Sequence, residues 1–207
     1  NVDNFDHIRS SGDILFEFED LFGGGDRDFD DILIEVFESP DEHETVDFEA
    51  VFGTIEEDVI EIEGTKQLIF AGDLNDLVDA STGEGNNRIY AGSGDDTLVL
   101  CSNDRIFAGE GDDILFVTNG GDNIITGGEF ADQFWIATAE IPESANIITD
   151  FNADDDIIGI AGLGINFVEV SITELDGYAI IAASSFDLAI LQGVAAESLT
   201  TDDFAFS

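Results

Sequence analysis

Between Gly53 and Trp135 the chain returns about every nine residues to one phrase: a Gly-rich turn, an acid, one spacer, then an aliphatic residue. The clearest copies are Ala91–Val99 (A-G-S-G-D-D-T-L-V) and Ala108–Phe116 (A-G-E-G-D-D-I-L-F). Followed in one phase, copies begin at Gly53, Ile62, Ala71, Thr82, Ala91, Leu100, Ala108, Val117 and Gly127. The copy at Leu100 is one residue short, and insertions are expected after Asp79 and Ile125. The aliphatic position reads Ile60, Ile69, Val78, Ile89, Leu98, Ile106, Leu115, Ile124 and Phe134, a large apolar residue every time. A unit this short cannot bury its apolar residue alone, so copies must stack into a continuous core.

Composition asks for something more than a core. The 207 residues hold 48 Asp and Glu against 5 Lys and Arg, a formal net charge of −43. Nucleic acid and acidic lipid are poor partners for such a chain, which has little to neutralise phosphates. Self-repulsion on this scale commonly leaves a chain disordered. Yet 43% of residues are hydrophobic, mean hydropathy is +0.09 and there are 18 Phe. Both facts are met by a folded protein that binds cations. Cys101, the single cysteine, forbids an internal disulfide framework. No apolar run reaches the roughly 18 residues of a spanning helix.

The phrase resembles the RTX (hemolysin-type) nonapeptide G-G-x-G-x-D-x-U-x, a calcium-binding β-helix repeat. The resemblance implies an all-β fold, a parallel β-roll in which two repeats complete each coil and alternate repeats stack on one side. It also implies several Ca2+ ions held between successive turns by aspartates and turn carbonyls, the oxygen donors a hard cation prefers. On odd repeats the acid position is Asp58, Asp76, Asp96, Asp113 and Asp132, an unbroken column. Asp95 and Asp112 precede two of these, and Gly92, Gly94, Gly109 and Gly111 are the turn glycines of the clearest copies. On even repeats the same position reads Gln67, Asn87, Asp104 and Asp122, so metal ligands are expected only toward the C-terminal end. Neighbouring strands lie about 4.8 Å apart, where two carboxylates repel by ~3–4 kcal/mol at an effective dielectric near 20. A column of five therefore needs counterions. Lys66, Arg88 and Arg105 fall on even repeats, as fixed charges standing in for lost metal or as ordinary surface residues.

The flanks differ from the repeat. On the even side the last strand position reads Phe70, Tyr90, Phe107 and Ile125, an apolar stripe expected to be covered by a flanking segment. Residues 136–207 contain further strands and are expected to cap the roll. Ile147–Phe151 and the acidic turn 152–156 are similar to the caps of bacterial RTX proteins, and this cluster is a candidate for one further calcium. Thr201–Ser207 resembles a type I secretion signal, which implies export by the type I machinery and an extracellular location. Residues 1–37 hold an acidic hairpin with Gly23–Gly25 at its centre, followed by a linker at 38–52. Asp26, Asp28 and Asp30 imitate the start of an EF-hand loop, but its required Gly is Asp31 and its bidentate Glu is Phe37, so an EF-hand is excluded. The stretch instead resembles the closing hairpin of a bacterial secreted β domain of unknown function, present here only in its last part. Glu19, Asp20, Asp26, Asp28, Asp30 and Asp31 are its candidate calcium ligands.

Catalysis finds little footing. His7 and His43 form no H-E-x-x-H pair, and Cys101 has no strongly basic neighbourhood to activate it. The expected function is a non-catalytic module that folds on calcium outside the cell. The competing class is an adhesion module that grips a surface or polymer with an exposed sheet face.

Overall fold

The computed structural model describes strand backbone at residues 8–10, 15–18 and 32–35, then residues 49–118 and 120–207. Contacts divide the chain into two units, Asn1–Val46 and Asp47–Ser207. In the first, β1 (Ile8–Ser10), β2 (Leu15–Phe18) and β3 (Ile32–Glu35) form an antiparallel sheet in the order β1-β2-β3. Phe18 pairs with Ile32 and Leu15 with Glu35. The candidate ligands Glu19, Asp20, Asp26, Asp28, Asp30 and Asp31 lie outside the described residues.

The second unit is a parallel β-roll. Its strands are β4 (Glu49–Phe52), β5 (Val59–Glu61), β6 (Gln67–Asp73), β7 (Leu77–Asp79), β8 (Arg88–Ser93), β9 (Thr97–Leu100) and β10 (Arg105–Glu110). They continue as β11 (Ile114–Val117), β12 (Ile124–Glu129), β13 (Gln133–Thr138), β14 (Asn146–Ile148) and β15 (Ile157–Ala161). The chain alternates between two sheets, because each Gly-rich turn sends it to the opposite side. One sheet runs β5-β7-β9-β11-β13-β15 and the other β4-β6-β8-β10-β12-β14, with parallel neighbours throughout. The odd sheet thus holds the odd repeats, and the even sheet the even ones.

Register turns the repeated aliphatic position into two stacked columns. Ile60, Val78, Leu98, Leu115, Phe134 and Ile158 line up inside the odd sheet, and Ile69, Ile89, Ile106, Ile125 and Ile148 inside the even one, all buried. Ala71, Ala91 and Ala108 fill the corner where the chain leaves the even sheet. Each buried aliphatic side chain contributes about 1.5–3 kcal/mol over its exposed state.

Two details of phase differ from the sequence reading. The repeat beginning at Val117 carries its extra residue in the turn before Asn123, not after Ile125. Ile125 therefore faces the core and Ile124 faces outward, opposite Arg105. Both residues are Ile, so either phase supplies an apolar inward side chain. After Asp79 the chain places Ala80 in the core, and the extra residues lie beyond it in the turn.

Parallel pairing extends past both ends of the repeat. The even sheet begins at β4, ahead of Gly53, and after β14 it gains β18 (Phe186–Leu191) in parallel. It then closes with an antiparallel hairpin of β17 (Tyr178–Ala183) and β16 (Val170–Leu175). The odd sheet ends on β19 (Phe204–Phe206), parallel to β15. Strands of residues 136–207 thus extend both sheets edge to edge. The outer edges are thereby moved from β14 and β15 to β16 and β19. Phe204 is buried against Phe167, ring centroids 5.2 Å apart, so the terminal segment read as a secretion signal is part of the folded cap.

Candidate metal centre

The turns that feed the odd sheet are laced by the aspartate column. The backbone N–H of Asp58 donates to Oδ1 of Asp76 (2.7 Å), and that of Asp76 to Oδ1 of Asp96 (2.7 Å). The N–H of Asp96 donates to Asp113 (2.8 Å), and that of Asp113 to Asp132 (3.0 Å). A fifth rung follows, from the N–H of Asp132 to Oδ1 of Asp156 (2.9 Å). Asp156 was readable only as part of the acidic turn 152–156. Its signal was the triplet Asp156-Ile157-Ile158, which repeats Asp113-Ile114-Leu115 but stands 24 residues after Asp132.

The two oxygens of these carboxylates have different fates. Oδ1 of Asp76, Asp96, Asp113, Asp132 and Asp156 accepts a bond from the preceding coil. Oδ2 of Asp76, Asp96 and Asp113 is buried without a hydrogen-bond partner. An idle buried carboxylate oxygen calls for a proton or a cation. The ends of the column are satisfied differently. Oδ2 of Asp58 accepts from Thr54 N–H (2.6 Å) and Thr54 Oγ1 (2.9 Å), and Oδ2 of Asp156 accepts from Asn152 N–H (2.8 Å).

Burial raises the central carboxylates from the usual range near 3.8, to about 6 for Asp96, about 8 for Asp113 and about 7 for Asp132. Desolvation is the leading cause in each. The N–H each accepts opposes it, and neighbouring carboxylates add to it. Asp76 and Asp156 move in the same direction for the same first reason.

One residue earlier a second row laces the same turns in the opposite sense. Asp95 N–H donates back to Asn75 Oδ1 (3.1 Å), Asp112 N–H to Asp95 Oδ1 (3.0 Å), and Ala131 N–H to Asp112 Oδ1 (3.1 Å). Asp95 and Asp112 are exposed, so they supply charge at the rim. The turn glycines let the coils approach this closely. Gly92 and Gly109 have φ of 122° and 127°, and a Cβ on either would strike a backbone carbonyl of the previous coil. Gly94 and Gly111 meet the preceding turn in the same way.

The even turns are built from other chemistry. Their column runs Gln67, Asn87, Asp104, Asn123 and Asn146, each backbone N–H donating to the next side-chain oxygen at 3.0, 2.8, 2.8 and 3.4 Å. Asp122 is not in it: it stands one residue early, exposed, with φ of 56°. The expectation of two even-side acids reduces to Asp104 alone. Its oxygens take the N–H groups of Asn87 (2.8 Å) and Cys101 (3.1 Å). Burial raises Asp104, while these two donors and the charge of Arg105 oppose the shift.

Amides replace the acids, and Asn123 shows how. Its Nδ2 donates to Cys101 O (3.1 Å) and to Asn146 Oδ1 (2.9 Å), closing the column without a cation. The acidic turn 150–156 is likewise occupied. Asp150 accepts from the N–H groups of Gly127 (3.0 Å) and Gly128 (2.9 Å), and Asp155 Oδ2 accepts from Asn152 Nδ2 (2.9 Å).

Among the described residues no three His, Cys, Asp or Glu side chains converge on a ready-made metal site. Three successive odd turns, at Asp76, Asp96 and Asp113, each offer instead one idle carboxylate oxygen. That donor set consists only of oxygen and suits a hard cation.

No family model matches the chain, and no curated protein matches it. Among solved structures, the AlgE6R3 subunit of the Azotobacter vinelandii mannuronan C5-epimerase is similar at a TM-score of 0.35 and 22% identity. That likeness covers 74% of this chain and 81% of the other. The AlgE6R2 subunit of the same enzyme gives 0.36 and 17%, over 78% and 94%.

Proposed function

We propose that this chain is a calcium-binding, calcium-folded module of a secreted protein, exported by the type I pathway and without catalytic activity of its own. The observation that carries the reading is the trio of buried, partnerless Oδ2 atoms on Asp76, Asp96 and Asp113. Without a counterion the column places like charges on adjacent coils. With calcium between the turns, each idle oxygen becomes a ligand and turn carbonyls complete the shell. Calcium suits this better than magnesium, because it accepts 6–8 oxygens in flexible geometry whereas magnesium demands a tight octahedron.

Extracellular modules bind calcium at about 10⁻⁴–10⁻³ M. The chain would therefore stay loose where calcium is scarce and fold after export, as binding energy becomes folding energy. Circular dichroism against calcium, with and without chelator, is the test. At pH 8 the expected result is strand signal and a cooperative melt only in calcium. A chain equally folded in excess EDTA would overturn the reading.

A further inference from the structure

Alternation along the even sheet projects two rows outward across its strands. One row is Phe52, Phe70, Tyr90 and Phe107, paired in register from β4 to β10. It continues in Thr126 and Thr149, whose hydroxyls bond to each other (2.8 Å), and ends in the pair Tyr178 and Leu175 on β17 and β16. The other row has one residue on every strand: Ala50, Leu68, Arg88, Arg105, Ile124, Ile147, Ile190, Ile180 and Thr173.

The four rings stack with centroids 5.5, 5.1 and 5.3 Å apart and planes within 12° of parallel. Phe52 is 71% exposed, Phe107 47% and Phe70 38%, so the C-terminal region does not cover the row as expected. Tyr178 and Leu175 are exposed at the far end. Neither row holds a carboxylate, although an even spread of 48 acids over 207 residues would put several there. The matching outer row of the odd sheet begins with Glu61 and Asp79. A flat, ring-bearing face without acids, on a chain of net charge −43, marks a contact surface.

We propose that this face docks a second copy of the chain, sheet on sheet, in a twofold dimer. Area sets the class of occupant. Nine strands about 4.8 Å apart span ~38 Å, and two rows about 6.6 Å apart cover a band of ~14 Å with side-chain width included. Each copy thus offers about 500 Å², or about 1,000 Å² per pair, the least a specific protein interface needs. A compact ligand requires a cavity, which a flat sheet does not provide. Self-match then favours a copy over an unlike protein. A twofold axis along the roll lays the ring row of one copy over the other row of its mate, strand by strand. Phe70 then meets Leu68, Tyr178 meets Ile180, and Arg88 and Arg105 lie over ring positions instead of over each other. Two sheets packed in this way keep their strands nearly aligned and lie about 10 Å apart. Two chains of −43 repel at long range, and salt screens that repulsion over about 8 Å. An apolar contact between like-charged molecules therefore tightens as salt rises, the reverse of a contact made by opposite charges. The dimer needs the folded roll, whatever folds it, and is independent of the metal reading.

Sedimentation equilibrium of the calcium-loaded full chain, from micromolar to sub-millimolar concentration, tests it, with the folding of every variant checked by circular dichroism. The expected result is a reversible dimer with a micromolar dissociation constant that tightens at least threefold as salt rises from about 0.05 M to about 0.5 M. Phe70→Glu and Tyr178→Glu, toward opposite ends of the face, should each weaken it at least tenfold. Thr97→Glu, on the outer side of the odd sheet, should leave it unchanged. A monomer at every concentration would overturn the proposal, whether the rows stay bare or another segment covers them. So would a dimer that salt dissociates, or one that both face variants leave intact, since the contact would then lie elsewhere. If the chain folds in chelator, the same titration without calcium should give the same dimer, so the two readings fail separately.

Discussion

Asp96 and Asp113 each have one oxygen engaged by the previous coil and one idle. Their replacement by Asn keeps the engaged oxygen and removes the charge. D96N and D113N should each raise the calcium midpoint of folding at least fivefold. D104N, whose parent carboxylate is fully satisfied by N–H donors, should shift it less than twofold. Equal shifts in a calcium titration followed by circular dichroism would refute the two-sided assignment. The same carboxylates fix a pH dependence in chelator. Their pKa values rise from near 3.8 unfolded to about 6, 8 and 7 folded at Asp96, Asp113 and Asp132. The folded state then binds more protons than the unfolded one between about pH 4 and 8, so stability is fullest at the acid end and falls as pH rises. In chelator the chain should regain part of its strand signal in circular dichroism at pH 5 and lack it at pH 8.5, and the same signal at both would contradict this.

Turns and strands carry different kinds of information at the scale of the element. The strands were legible, because each inward position is apolar and register multiplies the pattern from Ile60 to Phe134. The odd turns were legible for the same reason, one Asp per coil. The even turns were not, since Asp122-Asn123 and Ile124-Ile125 each offer two acceptable residues and only the pairing of Ile125 with Ile106 decides between them. Pairing beyond Trp135 was hidden too. The strands at 147–148, 157–160 and 188–191 could be seen, but no periodicity says that β18 joins β14 while β17 returns antiparallel. Two substitutions separate the roles of the elements. Leu115→Ala, inside the odd sheet, should cost about 2–5 kcal/mol in chemical denaturation. Gly111→Ala should cost about 1–3 kcal/mol from its positive φ and more from the backbone it strikes, without removing any ligand side chain. A neutral Gly111→Ala would show that the coils can move apart at the turn.

The whole roll has two unlike edges, one laced by aspartates with idle oxygens, the other mostly by amides, of which Asn123 bonds to Asn146 while Asn87 Nδ2 is buried without a partner. Calcium removal should therefore loosen the edges unequally. In hydrogen exchange, as calcium is lowered toward the folding midpoint, exchange of backbone amides around Asp76, Asp96 and Asp113 should rise first, and that of those around Asn87, Asp104 and Asn123 last. Uniform loss of protection would mean that the metal acts on the whole fold at once.

The lacing also makes the molecule countable in coils. Every rung from Asp58 to Asp156 joins a residue to its counterpart one full circuit later. A duplicated circuit, such as residues 91–107, would find each donor and acceptor where it expects them and should yield a longer protein with one more rung per edge. A duplicated half circuit, such as residues 91–99, would transpose the edges beyond the join and bring aspartates against amides. Growth by whole coils is thus open to this architecture, while growth by single repeats is closed.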